Sequence, residues 1–302
     1  MKTNVMKYIG VCAALFMFAA CAEEDVPLVG YDDPADWFSP APGAMDETSV
    51  LRREFFNKTG SYLLFNDTVQ HNLLGYNING DPVYFTELLS IGYTVGAQNA
   101  EQTVYTYEYL QDIESQREAV KYLEENILVH MSNKIKPYSW FLANRITGKY
   151  DNQTLNPYCV AGQRSIAISC YLVKSLSGSR LQQFNTQVLQ IIINRLVENH
   201  QAEFTDFYSV SSAYYSGVFT ANSDAENTEI LRSCGFLCRG KNPYNIDANG
   251  YYPDNVTDLR YFARLLVSYT PEQLEKLYGQ YPKVMEKLEI LRHTLEELGF
   301  NI

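Results

Sequence analysis

Histidine is scarce in this chain, with four in 302 residues, at positions 71, 130, 200 and 293. A zinc hydrolase of the zincin type needs two histidines at i and i+4 on one helical face, a Glu to activate the bound water and a third ligand. His71, His130 and His293 lie in separate segments with no second His or Cys at ligand spacing. Positive charge is also short: 24 Lys and Arg against 35 Asp and Glu leave a net charge of −11, which excludes a nucleic-acid partner that would need a basic face. There is no Gly-rich phosphate loop, no Gly-x-Ser-x-Gly elbow and no internal repeat. The apolar run from Ile9 to Ala20 is too short to hold a bilayer as a stable anchor.

What is abundant is tyrosine, with 24 against two Trp. Tyr combines large contact area with a polar tip, which suits a recognition surface and equally suits a β-rich fold with half-buried rings. At 46% hydrophobic and 20% charged the chain is globular, with length for one large domain or two small ones.

The first residues have the layout of a secretory signal: Lys2 and Lys7, the apolar run, then Phe18-Ala19-Ala20-Cys21. Small residues before a cysteine resemble a bacterial lipobox, which implies cleavage before Cys21 and its acylation; the alternative is a plain secretory signal with an incidental cysteine. The acidic cluster Ala22-Glu23-Glu24-Asp25 resembles the surface-export signal of Bacteroidetes lipoproteins, which implies the outer face of the outer membrane. Residues 21–48, with Pro27, Pro34, Pro40 and Pro42 and few aliphatics, read as a lipidated flexible tether. The expected organisation is therefore a signal peptide at 1–20, the tether at 21–48 and one domain at 49–302. Of the remaining cysteines, Cys234 and Cys238 are close enough to bridge, or are free buried thiols; their spacing is not that of a zinc ribbon.

Periodicity predicts a helix at Val50–Asn57, strands at Tyr62–Phe65 and Pro82–Phe85, a helix at Leu110–His130, and strands at Tyr138–Ile146 and Ser165–Val173. A long central helix follows at Ser179–Asn199, then a loop-rich stretch from Glu203 to Asp258 and a helix at Leu259–Tyr269. Thr270-Pro271-Glu272-Gln273 carries the capping-box pattern, and the last helix, Pro282–Leu298, stops at Gly299. The sum is an α+β domain with a small sheet and a helical C-terminal part.

The long helix ends in His200-Gln201, followed by Ala202-Glu203-Phe204 and Phe207-Tyr208-Ser209. With Leu51–Asp67, Gly162–Ser169, Gly235-Phe236-Leu237, Asp258-Leu259 and Lys283–Ile302, this order resembles the zinc-binding metallopeptidase lipoproteins of the Bacteroidetes, the substrate-import-associated zinc metallohydrolases. Their mark is His-Glu-Phe-x-His-x-x-His-Gln. His200-Gln201 matches its closing pair. The first zinc histidine falls on Ile193, the general-base Glu on Asn194 and the second zinc histidine on Val197. The acidic ligand expected one turn after Asp258 meets Arg260 and Tyr261.

The resemblance thus implies a zincin-like fold, a small sheet packed with a long central helix, that has lost its metal motif. No catalytic residue, metal or cofactor is expected. The role implied is a catalytically inactive accessory lipoprotein of a Sus-like importer, beside a TonB-dependent channel and its substrate-binding lipoprotein. It would bind peptide or glycan nutrient at a surface containing Glu203, Tyr208, Tyr214, Tyr215, Tyr251 and Tyr252. Two rivals remain: a divergent active zinc metallohydrolase with other ligands, and a lid or scaffold with no ligand.

Overall fold

β5 (Ser139–Tyr150) is a 12-residue strand at the centre of the sheet. Its segment SWFLANRITGKY alternates large side chains between two faces, as a strand must. Trp140 and Leu142 enter the main core, while Phe141 and Ala143 enter a second, smaller one. The register against β4 (Val104–Tyr109) shifts so that Asn144 is left unpaired between Ala143 and Arg145. That bulge restores Ile146 to the face of Phe141 and Ala143.

The computed structural model describes residues 37–91, 103–151, 153–240 and 250–302. The expected signal segment, Cys21 and most of the expected tether lie outside the described residues. The folded unit runs from Phe38 to Ile302, so it reaches back into the segment expected to be tether. Phe38 is buried, its carbonyl accepts from Arg52 at 2.7 Å, and its ring lies beneath the Arg164 guanidinium.

Among the described residues the chain is mixed α and β. Helix α1 (Glu47–Thr59) leads to β1 (Tyr62–Leu64), which pairs with β5 in parallel. β4 and β6 (Gln153–Leu155) run antiparallel to β5. β8 (Ser165–Ser169) is parallel to β5 and carries the antiparallel β7 (Cys159–Ala161) at its outer side. The strand expected to continue to Val173 ends at Ser169 and passes into a 3-10 turn at Val173–Ser175.

The main core is closed by α2 (Ile113–Asn126), α3 (Gly178–Asn199), α6 (Asn255–Ser268), α7 (Pro271–Tyr278) and α8 (Pro282–Leu298), each burying one apolar stripe. Ile192, Ile193 and Leu196 of α3 meet Leu259, Phe262 and Leu266 of α6 and Leu288, Leu291 and Leu295 of α8 in that core. The stretch from Glu203 to Asp258 holds more regular structure than its Gly, Asn and Tyr content suggests: α4 (Thr205–Ser209), β9 (Val218–Phe219), α5 (Asp224–Ser233) and β10 (Gly250–Tyr251). Leu231, Phe236 and Tyr252 form a separate aromatic core there, joined by Tyr214, Tyr215 and Phe219.

β2 (Thr68–Tyr76) and β3 (Pro82–Leu88) form a two-stranded antiparallel ribbon outside the main sheet. Its turn is held by Asn77, whose side-chain oxygen accepts from the backbone of Asn79 and of Asp81, both at 2.9 Å. Gly80 has φ +84° there, a conformation that favours glycine.

Candidate functional site

α3 ends where the sequence places His200. The His200 backbone N–H closes the helix on Leu196 O at 3.0 Å, and its ring nitrogen lies 3.4 Å from a carboxylate oxygen of Glu203. Both side chains are part-exposed. Ile193 is wholly buried in the main core. Asn194 and Val197, on the adjoining face, are half-buried and line a cleft of about 310 Å³.

The cleft lies between two helices. α3 supplies Asn194, Val197 and Glu198, and Gln201 follows its end. α6 supplies Asn255, Val256, Leu259 and Arg260, and Tyr208 comes from α4. α6 starts here because Asp254 caps it, accepting from Thr257 N at 2.6 Å. Gln190 Nε2 donates to the Arg260 carbonyl at 3.4 Å, tying α6 to α3. Phe207 of α4 meets Phe262 of α6 edge-on at 5.2 Å, which fixes the turn that carries Tyr208. Burial first, and the Asp258 charge second, raise the Tyr208 phenol above its ordinary pKa, so it stays a neutral hydrogen-bonding group. The Asn194 side-chain oxygen is buried without a hydrogen-bond partner.

Chemically the cleft offers three amides, a phenol, a guanidinium, a carboxylate and an apolar wall. That set orients a polar organic ligand by hydrogen bonds. Its lining residues contain a single carboxylate, Glu198, which lies 3.6 Å from Arg195. General acid and base work of the glycosidase kind calls for two. Among the described residues no three His, Cys, Asp or Glu side chains converge as a metal-holding group. A larger depression of about 690 Å³, lined by His130, Leu181, Asn185, Tyr269, Arg292 and Phe300 among others, holds none of the degenerate motif positions and none of the six residues expected to form a ligand surface.

Of the six residues expected to form a ligand surface, only Tyr208 lines the cleft. Glu203 is exposed beside His200. Tyr214 and Tyr215 pack in the separate aromatic core, and Tyr251 and Tyr252 are buried. Tyr214 and Tyr215 remain part-exposed, and none of these four lines the cleft, because the segment after α4 packs its rings against one another. Of the two alternatives considered for Cys234 and Cys238, the structure has both as free thiols. Cys234 ends α5, with its sulfur 3.4 Å from the Tyr252 hydroxyl, and burial first and nearby acids second push the Cys238 thiol up to about 12.

A buried charge pair was not anticipated. Asp258 of α6 and Lys287 of α8 are in direct contact, both side chains fully buried. Tyr215 donates to Asp258 Oδ2 at 2.7 Å, and Lys287 Nζ lies 3.2 Å from the Tyr215 hydroxyl and 3.4 Å from that of Ser211. Asp258 Oδ1 has no partner. Burial raises the Asp258 carboxyl to about 6, against the opposing pull of Lys287 and Tyr215. Burial likewise lowers the Lys287 amine. The sequence carried a signal: each charge interrupts an apolar stripe, Asp258 beside Leu259 and Phe262, Lys287 between Val284 and Leu291. Among the described residues no helix is long and apolar enough to cross a membrane. Comparison of the chain with family models, with curated proteins and with solved structures gave no match, and the cleft is read from its own residues.

Proposed function

We propose that the chain is a lipid-anchored surface protein with a metallopeptidase-like frame, which binds a peptide or glycan in the cleft between α3 and α6 without hydrolysing it. It would serve a Sus-like outer-membrane importer as an accessory subunit that captures or orients nutrient. The observation that carries this reading is the fate of the three motif positions: Ile193 is in the core, and Asn194 and Val197 are cleft wall. A zinc hydrolase needs lone pairs and a carboxylate base at those places. An aliphatic pair supplies neither, and an amide supplies only hydrogen bonds. Those hydrogen bonds, with Arg260 and Tyr208, suit a ligand rich in amides or hydroxyls.

The test combines two measurements on the purified chain. Elemental analysis without added metal is expected to find no stoichiometric zinc. Calorimetric titration with peptide and oligosaccharide panels is expected to find a ligand whose affinity drops about tenfold, or roughly 1.4 kcal/mol, in Arg260→Ala and Asn194→Leu. Zinc that is lost in His200→Ala would return the protein to the hydrolases. A folded chain that binds nothing in either panel would leave a scaffold role. For the anchor, Cys21→Ala should move the protein from the membrane fraction to the soluble one; a variant that stays membrane-bound defeats the lipoprotein reading.

A further inference from the structure

We propose that Lys287 and Asp258 condense into an intramolecular amide bond, a covalent cross-link between α8 and α6. The two side chains are in contact with no exposed surface on either. Aromatic rings enclose the amine: the Phe207, Phe236 and Phe262 centroids lie 4.5, 4.8 and 4.9 Å from Nζ, and that of Tyr215 lies 5.4 Å away. The ring faces offset part of the cost of a buried ammonium, but the ammonium–carboxylate pair is still penalised, since both charges have left water and half the carboxylate is unpartnered. Burial favours the neutral amine and neutral acid, which are the reacting forms, and moves both groups in that direction. Condensation replaces two costly charges with one neutral amide.

Tyr215 is placed as a proton relay. Its hydroxyl lies 3.2 Å from Lys287 Nζ and 2.7 Å from Asp258 Oδ2, so it touches both reacting groups. Burial and the neighbouring Asp258 hold this phenol protonated well above its ordinary range. In the step, the Nζ lone pair attacks Asp258 Cγ and the Nζ–Cγ bond forms. One Nζ proton passes to the Tyr215 oxygen as the Tyr215 proton passes to Oδ2. The Cγ–Oδ2 bond breaks, and Oδ2, already bearing the acid proton, departs as water. Tyr215 is regenerated, and no oxidant or cofactor is consumed. The closed loop contains all of α7.

Tandem mass spectrometry of a tryptic digest of the full chain tests this. The expected product is one branched peptide joining Asn242–Arg260 to Val284–Arg292, lighter than the two linear peptides together by one water, with no cleavage after Lys287. Recovery of the free peptide Val284–Lys287 as the main species would overturn the proposal. Tyr215→Phe keeps the ring and removes the relay. It is expected to yield a mixture in which the branched peptide accumulates slowly after synthesis. An unchanged rate and full yield in that variant would overturn the relay role.

Discussion

His200 and Ile193 stand near the end of the same helix and differ in their surroundings. His200 has solvent and a Glu203 partner at 3.4 Å; Ile193 has only core. His200→Ala should therefore cost about 1 kcal/mol or less, the scale of a part-exposed polar side chain at a helix end. Ile193→Asp should cost about 4 kcal/mol or more, because it buries a carboxylate with nothing to pair it. Denaturant midpoints check both, and equal losses would mean that α3 packs otherwise. A second residue-scale prediction concerns Tyr109, whose hydroxyl donates to Asp67 at 2.5 Å; that bond, then burial, pushes the phenol up to about 12. An unfolded tyrosine ionises near 10, so between about pH 10 and 12 the unfolded chain has lost a proton the folded chain still holds. Stability falls as pH rises through that window. The advantage of wild type over Tyr109→Phe should shrink from pH 9 to pH 12, and a constant gap would exclude the bond as its source. Single residues were legible where a local rule fixes them, as with His200 at the end of a helix. Asp258 and Lys287 each showed as a charge in an apolar stripe, but nothing local reveals that two such interruptions meet.

At the level of elements, the local grammar was read well where caps are explicit. Thr270 accepts from Gln273 N at 3.4 Å while the Gln273 side chain accepts from Thr270 N at 2.9 Å, the reciprocal box its spacing predicts. Gly299 ends α8 at φ +105°. Thr270→Ala should lower stability by about 1 kcal/mol, and Thr270→Ser should restore most of it; thermal unfolding of the two variants checks this, and a loss that Ser does not repair would point to packing instead. β5 was legible from its aromatic and β-branched run, though its extension to Tyr150 was not, because Gly148-Lys149 has weak strand preference and is held by pairing to β4 and β6. α5 was missed although Ser223 accepts from Glu226 N and acids fill its first turn. Its neighbours are so rich in Asn, Gly and Tyr that the cap was read as loop. The cleft shares this cause: Asn255, Val256 and Arg260 carry no motif and gain a role only when α6 is laid against α3.

For the whole molecule, the mixed α+β architecture followed from periodicity, and the division into two cores on either side of β5 did not, since it depends on which helices cover which face. The ribbon of β2 and β3 packs Val69 against the smaller core, while most of its other residues are exposed. Leu74, Tyr76 and Leu88 are each more than half exposed, and Ile78 at its turn is fully so. Among the described residues neither strand pairs with any other. Open backbone edges flanked by apolar side chains invite strand addition from another chain. Ile78→Lys with Leu74→Lys should therefore lower light scattering of concentrated protein while leaving the melting temperature within about 2 °C, since neither side chain is buried. Unchanged scattering would show that the ribbon is inert. In a crowded solution, colloidal behaviour would then be set by this one small appendage, and the solubility of the protein would be tunable at its turn without touching the body that folds.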